Sequence, residues 1–210
     1  MMTQTHLLVA ASLFSSPKRP SKHNFAILIG SFFPDIAVFG LFIWSKLAGI
    51  PERQLWREVY FSEPMLTYTA IANSLPVYLV ILLAGVLLYK SQASNTNLLE
   101  PIPRISIMMC SAICLFALAA ITHLIGDFPV HTSDAHPHFW PISDWRFHSP
   151  VSYWDDKHYG DYFSLIEAAL GVVLSIVLYR RFNLKWVRCL LVLAIFLYVA
   201  VPVYFYLQLG

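Results

Sequence analysis

The sequence predicts an all-α fold: a polytopic membrane helix bundle of about five spans, with a short N-terminal helix and a long ordered loop on the outer side. Of its 210 residues, 58% are hydrophobic and only 12% are charged, whereas a soluble domain has about 25% charged residues. Several stretches also run almost without charge for about 20 residues, the length of helix that crosses the hydrocarbon core of a bilayer. We therefore expect one integral membrane domain over residues 1–210, with the lipid bilayer as its surroundings.

Five apolar segments are interpreted as spans, and they cover residues 24–50, 71–89, 105–126, 162–179 and 189–210. The first span contains Pro34, Asp35 and Lys46, and the fourth contains Glu167. An ionisable residue inside a span normally faces protein or water and not lipid. Asp35 and Glu167 are therefore expected to face the interior of the bundle.

Three further segments complete the expected architecture. Residues 7–14 are apolar but have no basic segment before them, which favours a retained short helix over a cleaved signal peptide. The polar, proline-bearing segment 15–24 is predicted to be the elbow of a hairpin between this helix and the first span. Residues 51–70 mix charged and aromatic side chains, as in an interfacial amphipathic segment.

The distribution of lysine and arginine predicts the orientation, because cytoplasmic loops contain more of these residues. With five spans, nine of them lie on one side: Lys18, Arg19, Lys22, Lys90, Arg104, Arg180, Arg181, Lys185 and Arg188. The other side has five: Lys46, Arg53, Arg57, Arg146 and Lys157. We expect the first side to be cytoplasmic, which places the loop 128–161 outside. The net charge of +2 without a continuous basic patch predicts no nucleic-acid partner.

The loop 128–161 has an unusual composition for its length. It contains five of the eight histidines, together with three tryptophans and several phenylalanines and tyrosines. Structureless connections longer than about 12–15 residues are uncommon unless they are functional or disordered, and disordered segments are poor in aromatic residues. The composition therefore predicts an ordered lid or a wall of a site.

The segment HLIGDFPVH contains the strongest candidate for chemistry. His123 and Asp127 are four residues apart and share one face of a helix. Imidazole and carboxylate together suit a divalent ion such as zinc. A set of loop residues follows that could complete the site: His131, Asp134, His136 and His138. The alternative is a capped helix end with interfacial histidines.

A second pair is predicted from the hairpin. His6 lies nine residues before Ser15, and Asp35 lies eleven after Asn24. At a rise of about 1.5 Å per residue, the imidazole and the carboxylate come to a comparable depth in the bundle. We expect His6, Asp35, His123 and Asp127 to converge in one site.

These motifs resemble a known family. The early Thr5-His6, the Pro34-Asp35 pair, His123-x3-Asp127 and the FWP segment 139–141 are similar to the YdjM-like (LexA-binding type) metal-dependent hydrolases of the bacterial inner membrane. They also resemble, distantly, the zinc-dependent phospholipase C and single-strand nuclease superfamily, in which such residues are metal ligands. The resemblance implies a zinc hydrolase of the bacterial inner membrane. The distribution of lysine and arginine then places the loop in the periplasm.

The resemblance has one departure. The family has an HRxxTHS element after the first helices, and here YTAIANS occupies its place, with Tyr68 and Asn73 where the histidines stand. Asparagine is a poorer zinc ligand than imidazole. Either this chain holds fewer metal ions, or loop histidines substitute, or catalysis has been lost.

Three functions are compatible with these observations. The first is a hydrolase acting by metal-activated water on a lipid or lipid-linked phosphoester, with Glu167 as general base or else as a buried salt-bridge or capping partner. The second is a non-catalytic membrane protein that binds a metal or a partner through its histidine-rich loop. Transport ranks last because the spans contain few charges. The sequence leaves the substrate and the oligomeric state open.

Overall fold

The computed structural model describes residues 1–94 and 104–209. In these ranges all the regular structure is helical. Nine α-helices follow one another within these two ranges: α1 Thr3–Phe14, α2 Ser21–Phe32, α3 Ile36–Leu47, α4 Glu52–Arg57, α5 Glu63–Ala72, α6 Leu75–Ser94, α7 Arg104–Asp127, α8 Gly160–Arg181 and α9 Lys185–Leu209. Short 3₁₀ turns lie at Phe33–Asp35, Val59–Phe61 and Asp156–His158.

Four helical segments of the described chain are long and apolar enough to cross a membrane. They are Ser21–Leu47, Glu63–Gln92, Ile107–Asp127 and Gly160–Arg181. These segments overlap the first four predicted spans. The fifth predicted span coincides with α9, whose side chains are described only in part, and it stays a prediction. The short N-terminal helix is present as α1.

The N-terminal hairpin forms as its sequence requires. Helix α1 ends at Phe14, before the Ser-Ser-Pro segment, and α2 begins directly after Pro20, whose fixed φ suits a helix start. Both helices pack against α7, and α1 also packs against α8. Gly30 permits the close approach of α2 to α7, because a Cβ at this position would collide with the backbone of Phe116.

Two of the long segments are broken at neighbouring positions. Between α2 and α3 the chain forms a 3₁₀ turn at Pro34, whose missing N–H cannot continue the helical ladder. Between α5 and α6 the break lies at Asn73 and Ser74. The Asn73 amide Nδ2 donates to the Pro34 carbonyl (3.3 Å) and to the Thr69 carbonyl (3.0 Å), so it ties the two breaks together. The segment 51–70, which was expected to be interfacial, contains α4 and most of α5. Helix α5 also belongs to the second long apolar segment, Glu63–Gln92.

The loop 128–159 returns to the broken helices. The backbone N–H of Leu75 donates to the His138 carbonyl (2.8 Å), and the Ser74 hydroxyl donates to the Trp140 carbonyl. Within the loop, Tyr153 N–H donates to the Val130 carbonyl (3.1 Å). These bonds hold the histidine-rich part of the loop against the break at Asn73.

Candidate metal centre

Two helices bring together the central group of this site. His6 comes from α1, and His123 and Asp127 come from the last turns of α7. One nitrogen or oxygen atom from each of the three lies within 4.8 Å of the others, a spacing at which they could hold a metal ion. The side chains are almost completely buried, with exposed fractions of 3%, 1% and 2%. An isolated charge at such a depth is unfavourable unless it is paired or coordinates a metal.

The Asp127 carboxylate is the centre of the group. Its Oδ1 accepts from His6 Nε2 at 2.8 Å, and its Oδ2 lies 2.9 Å from His123 Nε2. The two imidazole rings are stacked, with centroids 3.6 Å apart. The nitrogen of Met1 also contacts Oδ1, at a distance of 2.5 Å. These groups partly neutralise the carboxylate, and a bound cation would take over that role if the imidazoles were unprotonated.

His123 has the orientation of a metal ligand. Its Nδ1 lies 2.7 Å from the Ser31 carbonyl, which can only accept, so Nδ1 holds the hydrogen and donates it. Metal-binding histidines commonly anchor their second nitrogen to a carbonyl or carboxylate in this way. Its Nε2 is buried and makes no hydrogen bond of good geometry, although Asp127 lies within ion-pair distance. A cation between these two side chains would satisfy both.

Asp35 provides a second carboxylate, from the 3₁₀ turn between α2 and α3. Its Oδ1 lies 3.6 Å from His123 Nε2, and its Oδ2 accepts from the Thr3 hydroxyl at 2.6 Å. The structure thus brings His6, Asp35, His123 and Asp127 into one cluster. Asp35 lies at its edge, level with Thr3 and one turn away from His6 along α1.

The loop approaches the cluster through His131. Its Nε2 lies 3.4 Å from Asp127 Oδ1, and its Nδ1 lies 2.9 Å from Asp134 Oδ2. Asp134 also accepts from the indole nitrogen of Trp154 at 3.0 Å. His131 Nε2 and Asp134 Oδ1 are buried without a hydrogen-bond partner. A carboxylate–histidine pair therefore faces Asp127 from the loop side.

His136 and His138 are buried behind His131. The His136 ring lies 5.1 Å from the His131 ring and 6.0 Å from the His138 ring. His138 Nδ1 donates to the Asn73 carbonyl at 3.1 Å. In the described part of the chain, the group with mutually close donor atoms contains His6, His123 and Asp127 but none of the loop residues.

The ionisable loop residues differ in their protonation at neutral pH. Burial alone would lower the pKa of His131, but Asp127 and Asp134 outweigh it and raise the pKa to about 9. Burial would raise the pKa of Asp134, but His131 and the other bonded groups hold it at about 2. Burial and the neighbouring His131 and His138 lower the pKa of His136 to about 3. At neutral pH His131 and Asp134 form an ion pair, and His136 is a neutral imidazole.

Glu167 lies on α8 and is 1% exposed. Its Oε1 accepts from the Met2 backbone nitrogen at 2.7 Å, at the residue that caps the start of α1. A carboxylate at a helix N-terminus satisfies a free N–H and stabilises the helix dipole. This contact corresponds to the capping alternative, and the role of general base stays a prediction.

Tyr68 and Asn73, the positions at which the resemblance would place histidines, differ in exposure. Tyr68 is 63% exposed, whereas Asn73 is 2% exposed and lies beside His138. Sequence reasoning also missed Gly126, against which the His6 ring packs, since a Cβ there would lie 3.1 Å from His6 Cε1. A glycine one residue before the aspartate of the HxxxD pair is the signal that could have revealed this packing.

Comparisons with protein-family models, with curated proteins and with solved structures find no match.

Proposed function

We propose that the chain is a membrane-embedded, metal-dependent hydrolase in which His6, His123 and Asp127 hold a divalent ion, with zinc the expected metal. The observation that supports this most directly is the geometry of the three donor atoms, within 4.8 Å of one another and buried. Zinc is bound by imidazole nitrogen and carboxylate oxygen, usually with four ligands. Two imidazoles and one carboxylate leave a coordination position for water or substrate, as catalytic zinc sites do.

The residues around the group fit this ion. The His123 tautomer is fixed by the Ser31 carbonyl, and Nε2 has no competing partner of good geometry. The carboxylate of Asp127 would offset part of the charge of the cation. A zinc ion in such a site supplies water activated for nucleophilic attack at neutral pH.

The chain's own residues would position that water and its proton. Asp35 Oδ1 lies 3.6 Å from His123 Nε2, close enough to orient a water at the group. The ion pair of His131 and Asp134 closes the side towards the loop. Helices α1, α2 and α7 pack against one another around the group, whose three side chains are buried.

The proposed substrate is a lipid or a lipid-linked phosphoester. The group lies at the end of an apolar helix long enough to cross a membrane, next to the loop. A substrate that is itself in the bilayer would reach such a site more readily than a soluble metabolite. With the resemblance to YdjM-like proteins, we further propose the bacterial inner membrane as the location and a periplasmic loop.

Loop histidines lie near Asn73 and Asp127, outside the group of three close donor atoms. His138 lies directly on the Asn73 carbonyl, and His131 reaches Asp127. In the alternative function, the protein binds a metal or a partner without catalysis. The observation in its favour is that Tyr68 and Asn73 replace two histidines of the hydrolase motif.

Elemental analysis of the protein purified in detergent tests the proposal. We expect zinc in the wild type, with a strong loss in His6→Gln. The matched control is His23→Gln, because His23 is also buried but its Nε2 donates to the Met108 carbonyl away from the site. Equal zinc in the two variants, or none in the wild type, contradicts the metal site.

Activity separates the two functions. Zinc-loaded protein should hydrolyse a phosphoester, lose the activity on chelation and regain it on zinc addition. Zinc binding without hydrolysis of soluble or bilayer-embedded phosphoesters would favour the binding protein.

A further inference from the structure

Helices α8 and α9 form a groove near the C-terminal end of α8. The groove has a volume of about 120 Å³, and its lining side chains come from the last two turns of α8 and the first three turns of α9. Arg180 lines the groove and follows Glu167 by 13 residues, which is about 20 Å along the helix. Because Glu167 contacts Met2, next to the Met1 nitrogen that pairs with Asp127, the groove is separate from the metal group.

Most of the side chains that line the groove are apolar and lie at the surface of the bundle. Ile176 and Val192 are 46% and 60% exposed, whereas Leu191 between the helices is 7% exposed. Helix α8 is long and apolar enough to cross a membrane, so the surroundings of these side chains are lipid. The groove therefore suits an acyl chain.

Positive charge is concentrated where α8 ends and α9 begins. Residues 168–210 contain no acidic residue and four basic ones: Arg180, Arg181, Lys185 and Arg188. Two of the four have acceptors within the protein. Arg181 Nη1 donates to the Ser12 carbonyl at 2.7 Å, and Arg188 Nη2 donates to Asn183 Oδ1 at 2.9 Å. The Arg188 guanidinium also lies 4.4 Å from the centroid of the Tyr179 ring, and Tyr179 lines the groove.

Arg180 and Lys185 are exposed and have no such acceptor. Across the described ranges, neither side chain takes part in a hydrogen bond or an ion pair. Arg180 itself lines the groove, so a guanidinium with free N–H donors lies beside an apolar surface. Arginine binds phosphate with a planar fork of N–H donors. The charge and the groove together suit an amphiphile with an anionic headgroup.

Ser175 is a second polar feature of the groove. It is 1% exposed, and its Oγ has no hydrogen-bond partner among the described residues. A buried hydroxyl without a partner is unfavourable. Ser175 lies five residues before Arg180, or about 7.5 Å further from the end of α8. The ester carbonyls of a phospholipid likewise lie deeper in the bilayer than its phosphate, and they can accept from a hydroxyl.

We propose that the groove between α8 and α9 binds an anionic phospholipid. One acyl chain lies along Ile176 and Val192, Arg180 binds the phosphate, and the Ser175 hydroxyl donates to an ester carbonyl. Basic pockets between membrane helices bind anionic headgroups in this way. The unpaired charge of Lys185 favours an anionic headgroup over a zwitterionic one. The site is independent of the metal centre and of the proposed hydrolysis.

Native mass spectrometry of the full-length protein in detergent tests the site, with dioleoyl phosphatidylglycerol as the anionic lipid and dioleoyl phosphatidylcholine as the zwitterionic one. We expect tighter binding of phosphatidylglycerol, and we expect Arg180→Gln to weaken it about fivefold, the effect of one basic residue at a membrane surface. Val192→Trp keeps the charge but fills the groove, and it should weaken binding at least as much. Ser175→Ala should cause a smaller loss.

The matched control is Lys22→Gln, because Lys22 is an exposed basic residue at the start of α2 and does not line the groove. This variant should bind phosphatidylglycerol as the wild type does. Thermal unfolding verifies the fold of each variant. An equal loss in Lys22→Gln and Arg180→Gln would mean a general attraction of lipid to basic residues and would overturn the site.

Three other results would also overturn the proposal. Phosphatidylcholine bound as tightly as phosphatidylglycerol would exclude recognition of the headgroup charge. Unchanged phosphatidylglycerol binding in either Arg180→Gln or Val192→Trp would place the lipid outside the groove. Displacement of phosphatidylglycerol by an equal concentration of glycerol 3-phosphate would identify a site for a free phosphate ester and not for a lipid.

Discussion

Asp127→Asn is the most informative substitution, because it keeps the shape of the side chain and removes its charge. In the structure one carboxylate contacts three imidazoles, with His6 Nε2 at 2.8 Å, His123 Nε2 at 2.9 Å and His131 Nε2 at 3.4 Å. It accepts no hydrogen bond from the amides that follow it along the chain. Asp127 therefore joins imidazoles that could share a metal ion with it, its Oδ1 also pairs with the Met1 nitrogen, and its side chain is not a local helix cap.

The expected magnitude follows from these contacts. Loss of a residue that merely orients a ligand lowers metal affinity about 10–100-fold, so loss of an anionic ligand should lower zinc affinity at least about 100-fold, or about 2.7 kcal/mol. Without metal, removing one partner of a buried ion pair costs about 3–5 kcal/mol. We take this as an upper limit, because asparagine can still accept from imidazole. A capping role alone would cost about 0.5–2 kcal/mol and leave zinc binding unchanged.

Competition with a chromophoric chelator measures the zinc affinity, and helicity with thermal unfolding verifies the fold. The matched control is Asp144→Asn, because Asp144 is an exposed aspartate in the loop that follows α7. The control should keep the zinc affinity of the wild type. An Asp127→Asn protein with full zinc occupancy would refute the metal site and make the HxxxD spacing a structural feature.

Three further predictions follow from the packing and the topology. Gly126→Ala should weaken zinc binding in the same titration, because the added Cβ would lie 3.1 Å from His6 Cε1. Gly40→Ala is the control: its Cβ would meet no atom within 4 Å, so zinc affinity should be unchanged. Glu167→Gln should keep zinc content and stay within about threefold of wild-type activity if Glu167 only caps α1; a loss of about 10²-fold or more at constant zinc would identify a general base. A cysteine at the exposed Ser133, in a chain without its native cysteines, should react with an impermeant thiol reagent in intact spheroplasts; labelling only after lysis would reverse the orientation.

The first four spans and the pairing of the N-terminal hairpin could be predicted because they depend on properties local to the chain. Length and absence of charge are enough to identify a spanning helix, and counting along a helix gives relative depth. The depth argument was accurate to about one turn: Asp35 bonds Thr3, and His6 bonds Asp127. Both carboxylates therefore lie in the same cluster.

The remainder of the site could not be predicted, because it depends on how the helices rotate and where the loop returns. A helix that is apolar on all sides has no hydrophobic face from which its rotation can be inferred. Ser31 lies inside the first apolar segment, and nothing in its neighbourhood in the sequence indicates that its carbonyl accepts from His123, 92 positions away. The contact of His138 with Asn73 joins residues 65 positions apart.

The structure gives Asn73 a role that a histidine would not fill in the same way. Its amide donates two hydrogen bonds, to the carbonyls of Pro34 and Thr69, and so joins the breaks of two apolar segments at one level. Irregular backbone at membrane depth persists only where it is buried in protein or lines a cavity, and its free carbonyls need donors. A neutral imidazole has a single N–H and could satisfy only one of these carbonyls. Asparagine at this position therefore stabilises the broken helices that place Asp35 beside His123, while imidazoles reach the cluster from α1, α7 and the loop. On this argument, asparagine at position 73 is compatible with the group of His6, His123 and Asp127, which could hold a metal ion.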